Sequence, residues 1–448
     1  MQTDMTVGKP MKMILDFTIP VFIGNVFQQF YNMADAIIVG KFVGTKGLAA
    51  VGSTGTIMFL IIGFLTGLTA GFTVLTSQKF GAGKMDEMRQ SVGNAALLSI
   101  IISVIMTAVS MLGMHSLLTL MHTPEDIFKD AYTYIMIICG GIFAQVLYNI
   151  LASILRALGN SKTPLYFLIL AALLNVALDL IFIIAFHMGV AGAAWATITA
   201  QGVSGLLCLV YIIKCMPELR LKRDDWRFRS GIAKNEILVG IPMGLQYSIT
   251  AIGTIIVQGA VNVYGEDYMA GFSAAAKIQN VICTVFVAFG ATIATYVGQN
   301  WGAGKVDRVR QGVRCTQIMI LAYSVIAMIL VFFFSKYLTD LFISPSETKV
   351  IEVSVLYFHT VFWCYPFLGS IFLYRNTLQG LGYGLVPMLG GVFELAARSA
   401  IVVLVAGKAS FAGVCLSDPA AWISALIPLI PYYIYVTRKW KKQGKIAM

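Results

Sequence analysis

The sequence predicts an all-α integral membrane protein, with twelve transmembrane helices in two six-helix lobes related by a parallel internal repeat. Three observations predict it: long continuous apolar runs, a one-sided placement of Lys and Arg, and a motif that occurs twice. Of the 448 residues, 58% are hydrophobic and only 12% charged, with a mean hydropathy of +0.81; soluble domains carry about 25% charged residues. Each apolar run supplies the roughly 20 helical residues needed to cross a hydrocarbon core. The runs are continuous rather than alternating, which argues against a β-barrel.

Reading the apolar runs between charge clusters places helices over 12–39, 50–77, 91–113, 131–155, 165–187, 190–213, 234–262, 270–298, 312–334, 352–378, 384–407 and 419–437. Met1 to Pro10 is a short polar lead without the pattern of a cleavable signal peptide, so the first helix is expected to target the membrane. The N-terminus, the loops after even-numbered helices and the C-terminal tail hold 24 of the 32 Lys and Arg. The opposite loops hold six, and, with residues at the helix ends counted to the neighbouring loops, only Lys277 and Arg398 lie deeper within helices. The positive-inside rule then places both termini on the cytoplasmic side of a plasma (inner) membrane. It also explains the net charge of +11 as topology rather than as a nucleic-acid footprint. The seven cysteines (Cys139, Cys208, Cys215, Cys283, Cys315, Cys364 and Cys415) lie in or near apolar segments without CxxC spacing and read as small buried thiols.

Gln78-Lys-Phe-Gly-Ala-Gly-Lys-Met-Asp86 reappears as Gln299-Asn-Trp-Gly-Ala-Gly-Lys-Val-Asp307, 221 positions later, and Arg89-Gln90 as Arg310-Gln311. Farther out, Pro20 pairs with Pro242, Gly44 with Gly265, Leu158-Gly159 with Leu381-Gly382 and Pro164 with Pro387. Six helices per copy is an even number, so both copies enter the membrane from the same side. The expected organisation is an N-lobe over 1–213, a cytoplasmic linker over 214–234, rich in Lys, Arg and Asp, and a C-lobe over 235–448. The Gly81-Ala-Gly83-Lys84 element is not a phosphate loop, because the Walker pattern needs GxxxxGK followed by Ser or Thr and here Met85 follows. It reads instead as a tight turn, with glycine supplying positive φ and the lysine anchored at the headgroups.

Ionisable and polar side chains inside a membrane helix are costly and mark interior faces or ion paths. Gln28, Tyr31, Asn32 and Asp35 follow the i, i+3, i+4, i+7 spacing of one helical stripe, which cannot face lipid. Asn175 and Asp179 sit one turn apart in the fifth helix. Asp179 lies about 14 residues from the start of that helix, roughly 21 Å at ~1.5 Å per residue, a depth compatible with one cluster including Asp35. Two neighbouring carboxylates in low dielectric cannot both stay charged without a counter-cation, so the pair takes a proton or a metal cation. The plainer reading makes Asp35 an interfacial residue close to Lys41. Glu394 and Arg398, at i and i+4, read as a self-neutralising pair, and Lys277 either snorkels or lines a cavity. Pro20, in the helix that carries Asp35, permits a hinge or a fixed kink. His115, His122, His187 and His359 are scattered without metal-ligand spacing, and no Ser/His/Asp or Cys/His set stands out; the chain does not read as an enzyme.

These residues together resemble the multidrug and toxic compound extrusion (MATE) family over nearly the whole chain. The likeness rests on Asn32-Met-Ala-Asp35-Ala-Ile-Ile-Val-Gly40, the duplicated Gln-x-x-Gly-Ala-Gly-Lys element, Leu155-Arg-Ala-Leu-Gly159-Asn with Pro164, and Gly192-Ala-Ala-Trp195-Ala-Thr197. Asn175-Val-Ala-Leu-Asp179 is similar to the fifth-helix motif of the DinF-like branch. That resemblance implies a cation-coupling site at Asp35, Asn175, Asp179 and Thr197. The carboxylates that the NorM-like branch places in helices seven and ten have no match: Thr250 stands near one position, and the tenth helix has Arg375 with no acid beyond Glu352.

The resulting expectation is a secondary active exporter of amphipathic, cationic organic compounds, in antiport with H⁺ or Na⁺. Gln28, Tyr31, Asn32 and Lys277 would line an apolar, aromatic substrate cavity, with Pro20 as the hinge. No cofactor, nucleic acid or metal is expected beyond a coupling Na⁺ at Asp35 and Asp179, and the chain is expected to act as a monomer in the bilayer. A lipid-linked oligosaccharide flippase is the alternative, and a non-transporting receptor or scaffold leaves the two carboxylates unexplained. The charge asymmetry makes a direct prediction: a cysteine introduced beside Asp225 stays unlabelled by an impermeant thiol reagent applied to intact cells. Labelling from outside would invert the topology.

Overall fold

The structure, a computed structural model, describes residues 3–121, 123–344, 346–405 and 410–443; His122 and the end of the expected eleventh helix lie outside them. The helices run in the order α1 (Pro10–Phe42), α2 (Thr45–Gly81), α3 (Met85–Leu120), α4 (Glu125–Gly140), α5 (Ile142–Ala157), α6 (Lys162–Leu180), α7 (Gly189–Cys215), α8 (Ser230–Asn262), α9 (Glu266–Gly302), α10 (Val306–Asp340), α11 (Thr348–Val361), α12 (Tyr365–Gly380), α13 (Leu385–Val405), α14 (Phe411–Cys415) and α15 (Ser417–Lys442). No strand occurs among the described residues. Eleven spans are long and apolar enough to cross a membrane, and α4 with α5, bent by 47°, makes a twelfth. Helices generally overrun the apolar windows. In α3, Asp86 and Glu87 occupy the first turn, where the helix dipole favours acids, so the helix starts before the hydrophobic run does.

Two expected helices are interrupted. The fourth breaks at Gly141, where an added Cβ would lie 2.2 Å from Cγ2 of Ile198; glycine there admits α7 at close range, and glycine pairs are a usual site of kinks. The tenth breaks at the same place in the repeat, through a 3₁₀ turn at Phe362–Cys364 that leads into Pro366. The turn reading of the duplicated motif holds in its backbone, since Gly83 and Gly304 both take φ 70°. Its lysines, however, bond to protein rather than standing free for headgroups. Lys84 pairs with Glu87 at 2.9 Å, and Lys305 Nζ donates to the Thr6 carbonyl oxygen at 2.9 Å. The cysteines also divide: Cys139, Cys208, Cys364 and Cys415 are buried, Cys283 and Cys315 half-buried, and Cys215 exposed.

By contacts the chain forms two units whose limits differ from the sequence boundaries. Unit 1 holds Met1–Asp4 and Ile19–Gly244, and unit 2 holds Met5–Thr18 and Leu245–Met448. The segment before α8, the expected linker, joins unit 1 because it is docked there. Asp225 is buried and accepts from the Lys222 amide at 2.7 Å. Asn94 accepts from the Arg229 amide at 2.9 Å. The start of α8 follows it, with Gly71 of α2 and Gly240 so close that a Cβ at Gly71 would lie 2.4 Å from the Gly240 Cα. Inside unit 1, Ser91 donates to buried Glu236 at 2.8 Å. In unit 2, the Met5 amide donates to Gln299 Oε1 at 2.9 Å, and Arg308 Nη1 donates to the Gly8 carbonyl oxygen at 2.9 Å.

A Cβ at Gly93 would stand 2.1 Å from the carbonyl oxygen of Asp225, so Gly93→Leu must displace the docked segment, an overpacking cost of about 1–3 kcal/mol. The expected result is faster tryptic cleavage at Lys222 and Arg223 of the purified protein; cleavage at the unaltered rate would show that this contact does not hold the segment.

Candidate functional site

The polar residues of α6 and α7 meet in unit 1. Asn175, Asp179 and Thr197 are 1%, 0% and 3% exposed. With the Asn175 amide turned to satisfy its neighbours, its nitrogen donates to Asp179 Oδ2 at 3.1 Å and its oxygen accepts from the Thr197 backbone amide at 3.2 Å. One asparagine thereby ties the two helices and fixes the rotamer of the carboxylate. A π-helical turn at Ile181–Ala185 follows Asp179 directly; such turns often accompany functional sites.

The C-terminal part of α1 completes the cluster. Ile38 and Val39 are buried in a core shared with Tyr134 and Ile138 of α4, Ile183 of the π turn, and Val190, Ala193 and Ala194 of α7. That packing turns Asp35 toward α6, where its carboxyl group reaches hydrogen-bonding contact with that of Asp179. One turn back, the Tyr31 hydroxyl meets the Thr197 side chain. Tyr134, 2% exposed, lies within electrostatic range of Asp35, Tyr31 and Asp179. Sequence reasoning missed it, because a tyrosine in an apolar helix carries no signal that separates a site residue from a core residue.

Asp35 Oδ1 and Asp179 Oδ1 are both buried without a hydrogen-bond partner among the described residues. Lys41 does not serve Asp35; its ammonium lies over the Phe42 ring, 5.8 Å from the centroid. Two carboxyl groups in contact and away from water need positive charge between them. The lone acceptors of Asp35 and Asp179, with the Thr197 hydroxyl beside them, fit a proton or a small monovalent cation. Among the described residues no group of three or more His, Cys, Asp or Glu could hold a metal ion.

The rest of the expected site is dispersed. The α1 stripe divides: Tyr31 and Asp35 turn into the cluster, whereas Gln28 and Asn32 are exposed. Lys277 is exposed on α9 in unit 2. Pro20 is buried, one residue past the point where α1 passes from unit 2 to unit 1, and the helix continues through it unbroken. An apolar groove of about 660 Å³ in unit 1, lined by residues including Phe143, Leu147 and Trp226, contains none of the cluster.

Unit 2 has its own buried charges. Arg375 pairs with Glu394. The nearest carboxylate to Arg398 is not Glu394, whose Oε2 is 4.0 Å from Nη1, but Asp418, whose Oδ1 is 3.2 Å from Nη2. The Tyr357 hydroxyl donates to the other Asp418 oxygen at 2.8 Å. The i, i+4 reading of Glu394 and Arg398 thus found two members of a larger network. It missed Asp418 because that residue lies on a different helix, in the first turn of α15.

Comparison with known proteins places this geometry. The MatE family model matches residues 20–181 and again 242–405, once in each half. A curated relative, "Probable multidrug resistance protein YpnP" of Bacillus subtilis (strain 168), is 31% identical over 85% of this chain and 84% of its own. "Probable multidrug resistance protein NorM" of Thermotoga maritima is 26% identical over 97% and 94%. A solved structure described as "MATE in the bent conformation" superposes with a TM-score of 0.90 at 22% identity, covering 98% of both chains. The two-fold family match and the near full-length relatives agree with the repeat and the twelve spans: the chain belongs to the MatE family, the multidrug and toxic compound extrusion transporters.

Proposed function

We propose that the chain is a secondary multidrug exporter that expels amphipathic, cationic organic compounds in exchange for H⁺ or Na⁺. The cation is taken at Asp35 and Asp179, with Asn175 and Thr197 as supporting groups. The observation that carries this reading is the contact of two carboxyl groups, buried in an apolar unit, with no basic side chain to neutralise them. The names of the relatives support multidrug substrates. Exposed Gln28 and Asn32, with Tyr31, are placed to meet substrate on α1. Both termini lie in the cytoplasm, so an inward cation gains ~2.3 kcal/mol per charge per 100 mV from the membrane potential.

A cation can drive a conformational cycle only through different affinity for its states. An ionised pair draws water or a cation, whereas a neutralised pair tolerates closer packing of α1 against α6 and α7. Pro20 leaves the Asp16 carbonyl without its amide donor, which gives α1 a place to bend between its anchored outer end and its first turns. The existence of a bent conformation in a structural relative is consistent with that motion.

In vesicles loaded for fluorescent-cation export, Asp35→Asn and Asp179→Asn should each reduce ion-driven transport by roughly 5- to 150-fold, the range of typical coupling energies, while the protein still inserts. Wild-type transport in either variant would remove that residue from the mechanism. Imposing proton and sodium gradients separately identifies the ion.

Pro20→Ala restores the backbone donor and should slow export several-fold while ion binding to the same purified variant is unchanged. Export at the wild-type rate would rule out bending at this position.

A further inference from the structure

The repeat extends to the charged network of unit 2. The 223-residue shift that pairs Pro164 with Pro387 also pairs Tyr134 with Tyr357, Ala171 with Glu394 and Asn175 with Arg398. A shift of 221, set by Ala191-Gly192 and Ala412-Gly413, pairs Thr197 with Asp418. The two residues that tie α6 to α7 beside the carboxylates of unit 1 therefore become an arginine and an aspartate in unit 2, ion-paired at 3.2 Å under an equivalent tyrosine. The carboxylates of unit 1 have no such counterparts. Asp179 maps to Val402, and Asp35 maps to Ile256 or Val257, depending on where the one-residue gap between Pro242 and Gly265 falls.

We propose that Arg398 is a built-in cation at the repeat counterpart of the carboxylate cluster, so that unit 2 permanently carries the positive charge that unit 1 takes from solution. The inference rests on reading Asp35 and Asp179 as the coupling site. Arg398 is 7% exposed, and its guanidinium packs close against Gly253, where an added Cβ would lie 3.0 Å from Nη1. Arg375 and Arg398 balance Glu394 and Asp418 charge for charge. A guanidinium does not lose its proton at any physiological pH. Being covalently tethered, it also cannot be exchanged between the two sides of a membrane. The buried network of unit 2 is thereby neutral in every state, and only the carboxylates of unit 1 respond to the ion gradient.

The test uses the full-length purified protein with Asp35→Asn and Asp179→Asn as background, whose own proton and Na⁺ binding is measured first. Ion binding that persists in this background counts against the coupling reading, whatever a change at Arg398 does. Arg398→Asn, which installs the residue that unit 1 has at this position, leaves Glu394 and Asp418 with Arg375 alone. The expected result is the uptake of one additional proton or Na⁺ per protein relative to the background, with thermal unfolding that shifts upward on acidification or on adding NaCl but not on adding an equal concentration of choline chloride. Arg398→Lys should gain no ion. A folded Arg398→Asn protein that takes up no additional proton or Na⁺ would overturn the proposal. If Arg398→Asn does not fold, adding Asp418→Asn removes the uncompensated charge and should restore an ion-indifferent fold. Failure of that double substitution to recover folding would assign Arg398 a packing role and overturn the proposal equally.

Discussion

Hydrocarbon solvates neither a charge nor a free carboxylate oxygen, and leaving one ion of a buried pair uncompensated costs several kcal/mol. Every charged group inside this protein must therefore be answered by something, and the two halves answer differently. In unit 1, Asp35 and Asp179 face each other with Asn175, Thr197 and tyrosines around them and, among the described residues, no basic side chain. In unit 2, two arginines and two carboxylates close on one another. A duplicated scaffold has thus separated into a half whose two facing carboxylates have no basic partner among the described residues and a half whose buried charges pair with one another.

The geometry of the cluster depends on helix packing that owes little to the hydrophobic effect, because lipid tails are as apolar as the side chains they would replace. Close approach between small residues does the work. Gly141 admits Ile198 at the bend between α4 and α5, and Ala193 and Ala194 let α7 lie against Ile38, Val39 and Tyr134. These contacts hold the C-terminal end of α1, and with it Asp35, at hydrogen-bonding range of Asp179. The Asn175 amide then does from α6 what no apolar contact could: it orients the carboxylate and links it to the backbone of α7.

The units also exchange their leading segments. The residues before and at the start of α1 are bonded into unit 2 through Gln299, Asn300, Lys305 and Arg308. The residues before and at the start of α8 are bonded into unit 1 through Gly93, Asn94 and Ser91. In each case the helix passes from one unit to the other within three residues of a repeated proline, Pro20 or Pro242. A position that lacks a backbone donor thus coincides with the place where one helix belongs to two packed bodies.

The membrane class, the helical spans, the duplication and the two carboxylates that meet in unit 1 were legible in the amino-acid order, because all of them are one-dimensional patterns. Apolar runs, charge placement, a repeated string and the spacing of residues on one helix need no partner to be recognised. Periodicity also put Gln28, Tyr31, Asn32 and Asp35 on one stripe, yet it could not say that the stripe divides, since the arc a neighbouring helix covers depends on where that neighbour packs. For the same reason Tyr134 and Asp418 went unnoticed, the docking of the linker around Asp225 went unforeseen, and Lys305 looked like a headgroup anchor. Sequence alone determined which residues are chemically capable and which share a helix; the tertiary structure decided which of them meet, because side chains separated by hundreds of residues touch only where small residues on the intervening helices let the backbones come close.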